Sequence, residues 1–224
     1  MKRVLVIAPH PDDEVLGCGG TIAGHVAAGD EVRLCVVTRA YPPEWTEEVI
    51  RIKRQEVNEA SGILGIKETS FLDLPTVKLD TLPQKELNNA IARVVDAVKP
   101  DVVYLPHKGD LNRDHRLVFE AALVALRPLE GNTVSRILCY ETLSETEWGI
   151  PDVESVFIPN VYVDIANTLE TKLAAMSAYA SELKEYPHPR SLEMLKVLAQ
   201  KRGSEAGIAA AEAFILIRES IRNK

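Results

Sequence analysis

The run Pro9-His10-Pro11-Asp12-Asp13-Glu14 sets one histidine beside three consecutive acids, directly after the apolar segment Val4-Leu5-Val6-Ile7. Three adjacent carboxylates repel one another, so the cluster implies a positive charge among them. Imidazole nitrogen and carboxylate oxygen are zinc ligands, and a catalytic zinc uses about three protein ligands, leaving a position for water. His10 and Asp13, three apart on a turn entering a helix, can face one ion. A second group follows in His107 and the loop KGDLNRDH (108–115), where His115, with Asp114 beside it, is a candidate third ligand. Asp12 is then free to act as a base toward metal-bound water, whose pKa zinc lowers to about 7.

Those residues need a scaffold that joins positions 10 and 115. Val4–Ile7 is apolar enough for a strand buried on both faces of a parallel sheet. Residues 14–28 carry a helical apolar face and end at Gly29, a C-cap candidate. Strands are expected over 31–38, 68–75, 101–107, 135–142 and 160–165. Helices are expected over 46–65, 83–100 and 114–127, with Pro83 in a first turn, and again near 167–185, 189–202 and 207–222. The alternation predicts an α/β, Rossmann-like fold, a mostly parallel central sheet with helices on both faces. No linker or repeat divides it, so residues 1–224 are expected to form one domain. In such sheets ligands bind outside the carboxyl ends of the strands, where His10 and His107 fall.

Composition narrows the function. The net charge of −7 argues against a nucleic-acid or anionic-membrane binder, and no segment reaches the roughly 20 apolar residues of a membrane helix. Cys18, Cys35 and Cys139 are widely spaced with no Cys-x-x-Cys pair, which suits buried reduced thiols in a cytoplasmic protein. The glycine string GCGGTIAG (17–24) is not a dinucleotide loop. A third glycine is required where Ile22 stands, and the string lies inside the helix behind acids that repel pyrophosphate. Its small residues fit close packing of helix on sheet. His25, in the same helix, reads as a surface or packing residue.

The segments APHPDDEVLGCGGTIA and GDLNRDHRLVFEAAL resemble the zinc-dependent N-acetylglucosaminyl deacetylase superfamily of PIG-L or LmbE type. The likeness extends through RQEVNEASGILG (54–65), CYETLSETEW (139–148) and the stretch 187–214. It implies a Rossmann-like hydrolase that removes an N-acetyl group from an amino sugar or related glycoconjugate by attack of metal-bound water on the amide carbonyl. It implies one Zn2+ per chain on His10, Asp13 and His115, with Asp12 as general base and then proton donor to the leaving amine. Glu14 is implied to support the site through hydrogen bonds, and Arg54 to bind substrate oxygens. Relatives of this type are often oligomers, which allows a homo-oligomer here.

One position departs from the pattern. Many relatives carry a histidine three residues before the second histidine ligand, where it helps stabilise the oxyanion; here that residue is Asn112. The Asn112 amide can donate instead, and His188 in YPHPRS is a second candidate for the same pocket. Arg190 and His107 are candidate substrate contacts, and Asp114 a candidate for orienting a ligand. Asp110 reads as a turn or helix cap. Asp73 is a candidate pocket residue, and Tyr140, Glu141 and Trp148 a candidate rim. Two other classes are compatible: a phosphoesterase with paired metals, and a catalytically silent homologue that binds metal and sugar. Iron or cobalt suits the same ligands.

Overall fold

The computed structural model describes residues 1–131 and 133–221. Seven strands form one sheet in the order β3-β2-β1-β4-β5-β7-β6. They are β1 (Arg3–Ala8), β2 (Glu31–Arg39), β3 (Glu68–Pro75), β4 (Val102–Pro106), β5 (Arg136–Tyr140), β6 (Val161–Asp164) and β7 (Ala211–Glu219). The first five are parallel to one another, whereas β7 runs antiparallel between β5 and β6. The helices are α1 (Asp13–Ala27), α2 (Glu47–Leu64), α3 (Gln84–Val98), α4 (Arg113–Ala125), α5 (Leu169–Ala178) and α6 (Leu192–Ala206). The expected Rossmann-like α/β class is therefore the observed one.

Alternation along each strand builds two cores. Val4, Val6 and Ala8 of β1 face α1, α2, α5 and α6, together with Val32, Leu34 and Val36 of β2. Leu5, Ile7, Cys35 and Val37 face α3 and α4 on the other side. Both faces are dry, which explains why these strands read as continuous apolar runs. All three cysteines are free and buried in these layers.

The C-terminal expectation needs correction. Residues 207–222 do not form a helix; 211–219 are β7, and residue 222 lies outside the described residues. The alanines of GIAAAEAF favour a helix locally, but Ala211, Ala213 and Phe214 are buried against strand neighbours on both sides, and pairing overrides propensity. The helix expected over 167–185 is confined to 169–178, that of 189–202 runs over 192–206, and Pro83 is the N-cap of α3 rather than a first-turn residue.

The glycine string does what its small size suggested. A Cβ on Gly17 would stand 2.2 Å from the Tyr140 ring, and Tyr140 is itself anchored by its hydroxyl, which donates to the Ile7 carbonyl at 2.9 Å. Gly17→Ala is therefore expected to lower stability by about 1–2 kcal/mol in denaturant unfolding, overpacking outweighing the helix gain of Ala. An unchanged midpoint would show that the Tyr140 ring yields.

Candidate metal and catalytic site

The strand order reverses between β1 and β4, which lie side by side. The loops leaving their carboxyl ends open a crevice there. The chain leaves β1 through Pro9-His10-Pro11 and turns into α1 at Asp12, whose φ of 98° and ψ of −25° are strained for a residue with a Cβ. This turn folds Asp13 back, so that its Oδ2 accepts from the His10 backbone N–H at 2.8 Å. His115 enters from the first turn of α4, which Asn112 caps by accepting from the Asp114 N–H.

Three side-chain atoms then converge. His10 Nδ1 and His115 Nε2 are 3.2 Å apart, and Asp13 Oδ2 lies 3.3 Å from each. The other nitrogen of each imidazole faces a carboxylate: His10 Nε2 meets Asp114 at 3.1 Å and His115 Nδ1 meets Asp110 at 2.8 Å. An ionised carboxylate only accepts, so those outer nitrogens carry the ring protons. The inner nitrogens are left with lone pairs aimed at each other and at a carboxylate oxygen.

Such a triangle needs a cation. A tetrahedral zinc with bonds of about 2.0–2.1 Å places its ligands about 3.3–3.4 Å apart, which is the spacing found, so His10, Asp13 and His115 fit a metal. The same surroundings favour positive charge on the two imidazoles. Burial works against a charged His10, but hydrogen bonds to Asp114 and Asp13 outweigh it and raise its pKa. Burial likewise disfavours charge on His115, and the Asp13 charge with the Asp110 hydrogen bond raises it well above the usual value. Asp13 is pulled below the ordinary carboxylate range against its burial, chiefly by the His115 charge.

Asp12 stands apart from the triangle. Burial, helped by the neighbouring Asp13 charge and opposed by Arg190, pushes its carboxyl up to about 8. Arg190 touches Asp12 Oδ2 at 3.3 Å and Glu182 at 2.9 Å, while its Nε donates to Ser144 Oγ at 2.7 Å. Both residues line a cleft of about 300 Å³ that also contains His10, Asp13 and Asn112. Arg54 forms part of the wall, its guanidinium 4.0 Å from the Phe71 ring centre and paired with Asp73. Trp45 and Ile50 add apolar surface.

Other expected residues fall elsewhere. His107 does not line the cleft; its Nε2 bonds the Ser155 carbonyl at 2.7 Å and its ring packs on Phe157. His188 is also outside, edge-on to Trp148, with Nδ1 accepting from the Arg190 N–H. Glu14 is fully buried, and its carboxylate accepts from the Tyr179 hydroxyl rather than from a ligand residue. Burial pushes Glu14 up to about 7 against that hydrogen bond. Tyr140 is core, Glu141 pairs with Arg202, and neither they nor Trp148 line the cleft. His25 is a packing residue between Asp30 and Tyr104.

Asp110, which the sequence suggests only as a cap, is the buried partner of His115. It is fully buried, and its second oxygen accepts from Thr146 Oγ1 at 2.6 Å. Its residue type and spacing match a helix or turn cap equally well. Only its depth beneath His115 separates the two.

A mostly parallel α/β sheet carries at its switch point a His-Asp-His cluster that could hold a metal, with the Asp12 carboxylate beside it in a cleft. The chain belongs to the PIG-L family, described as GlcNAc-PI de-N-acetylase, whose pattern matches residues 5–126. It is 31% identical over 189 residues to the uncharacterised deacetylase YaiS of Escherichia coli, covering 80% of this chain and 91% of that protein. It is 28% identical to the diacetylchitobiose deacetylase of Thermococcus kodakarensis, covering 95% and 82%. A conserved protein of Thermus thermophilus, TT1542, superposes with a TM-score of 0.80 at 29% identity, over 100% of this chain and 98% of that one.

Asp110 should matter to the metal. Asp110→Ala is expected to weaken zinc binding by about 10- to 100-fold, measured by competition with a chromophoric chelator. Affinity equal to that of the unaltered protein would reduce Asp110 to a structural cap.

Proposed function

We propose that the protein is a zinc-dependent N-deacetylase that hydrolyses the acetamide of a small amino sugar or glycoconjugate. The observation that carries this reading is the triangle of lone pairs on His10, Asp13 and His115, set beside Asp12 in one cleft. Membership of a de-N-acetylase family and the named activity of the Thermococcus relative support the same reaction. When bound, zinc would activate a water and polarise the amide carbonyl.

The remaining work falls to named side chains. Asp12 takes a proton from the attacking water and delivers it to the nitrogen of the leaving amine, so one carboxyl serves as base and then as acid. Arg190 holds its Oδ2 in place. Asn112 takes the oxyanion role. Its Oδ1 is committed to capping α4, which leaves the Nδ2 amide to donate from the cleft wall. His188, outside the cleft, is not needed. Arg54 and Asp73 offer a donor and an acceptor side by side for sugar hydroxyls, and Trp45 an apolar surface for a ring face.

No helix among the described residues is long and apolar enough to cross a membrane. We read the chain as one domain acting in the cytoplasm, a reading that its single sheet and buried free thiols support.

Metal analysis of the purified protein, followed by acetate release from N-acetylglucosamine and diacetylchitobiose, tests the reading. One zinc per chain is expected, lost in His115→Ala. Asp12→Asn should retain the zinc and lose about 10²- to 10⁴-fold in kcat. A protein that binds no zinc would overturn the proposal, and two metals per chain would point to phosphate esters instead.

A further inference from the structure

Helix α1 is in effect two helices. Cys18, with φ −147° and ψ 23°, breaks it, so the part that carries Asp13 is a single turn, Asp13–Gly17. An isolated turn has no stability of its own in water. The break also strands carbonyls on one side and N–H groups on the other, inside the core, where each must find a partner.

Two buried side chains from distant elements close it. Lys172 of α5 donates from Nζ to the Leu16 carbonyl at 2.9 Å. The Glu212 carboxylate of β7 accepts from the Gly20 N–H at 2.9 Å and the Thr21 N–H at 2.7 Å. The pair is joined by Lys172 Nζ to Glu212 Oε1 at 2.6 Å, with side-chain exposures of 5% and 4%. Thr168 Oγ1 adds a bond to the Gly20 carbonyl at 2.8 Å.

An ion pair at this depth is costly, and apolar side chains would fill the same space with a smaller desolvation penalty. What apolar side chains would not do is satisfy both stranded ends. Lys172 ends the short turn as a C-cap would, and Glu212 begins the longer segment as an N-cap would. Each therefore fixes one side of the break, and the bond between them fixes the sides relative to each other.

We infer that Lys172 and Glu212 are positioning residues for the metal ligand Asp13: by clamping the break in α1 they hold the single turn that aims its carboxylate at His10 and His115. The inference rests on the proposed metal site. Neither residue touches the cleft, so their contribution passes through the backbone of Leu16, Gly20 and Thr21.

The test compares Lys172→Met and Glu212→Gln with Val95→Ala, a core truncation in the opposite layer, at a temperature where all are folded. Zinc affinity by chelator competition is expected to fall about 10- to 100-fold in the two clamp variants and to stay unchanged in Val95→Ala, although all three lose thermal stability. Unchanged zinc affinity in a folded clamp variant overturns the inference. A second readout needs no metal: the Val15 and Leu16 amides, bonded to the Asp12 carbonyl at 3.0 and 2.9 Å, should exchange hydrogen faster in the clamp variants than in Val95→Ala. If the unaltered protein binds no zinc, the metal reading falls, and exchange alone decides whether the clamp holds the turn; equal exchange then overturns it. Should either single variant fail to fold, Lys172→Met with Glu212→Met removes both charges together and is read in the same two ways.

Discussion

Two imidazole nitrogens and a carboxylate oxygen cannot sit at 3.2–3.3 Å from one another without positive charge among them, whether a cation or protons on the rings. Much of the upper half of the molecule answers to that constraint. Asp114 and Asp110 each hold the outer nitrogen of one imidazole, so that in the neutral rings the inner nitrogens carry the lone pairs. Asp114 is in turn fixed by the Val77 N–H at 2.6 Å and Asp110 by Thr146. The protein's own hydrogen bonds therefore hold both imidazoles in their orientations.

The sheet supplies the rigidity. β1 delivers His10 and the turn to Asp13, while the loop after β4 brings α4 and His115 alongside. Neither segment could make the triangle alone, since its corners lie 105 residues apart. Around it the charges are arranged in pairs rather than in one field. Lys53 meets Glu182, Arg54 meets Asp73, and Arg190 meets Asp12 and Glu182. Pairing of this kind fixes long side chains in one geometry, which a cleft that must orient a ligand needs more than it needs net charge.

The parts of this arrangement that the sequence discloses are those governed by local chemistry. His10, Asp12, Asp13 and His115 stand out because their types are costly to place together without a purpose, and the strands of the central sheet because both of their faces are dry. Asp110 does not stand out, because a loop aspartate before a helix has an ordinary explanation. β7 is hidden by its alanines, whose local preference is helical and whose burial is decided by β5 and β6. His188 and His107 look functional by type, yet neither lines the cleft: His188 accepts from the Arg190 N–H, and His107 bonds the Ser155 carbonyl. Lys172 and Glu212 are 40 residues apart, and no periodicity links them. Their relation exists only once α1 is broken between them.

The placement of β7 orders events in time. Among the described residues β6 pairs with the sheet only through β7, and Glu212 of β7 closes the break behind Asp13. On a ribosome, β1 to β5 can assemble as they emerge, with His10, Asp13 and His115 already synthesised, but the turn that carries Asp13 stays unclamped until this strand has threaded between β5 and β6. Order in the turn behind Asp13 thereby waits on the synthesis and pairing of β7, and any ion held by His10, Asp13 and His115 would meet a loosely organised Asp13 before that strand is in place.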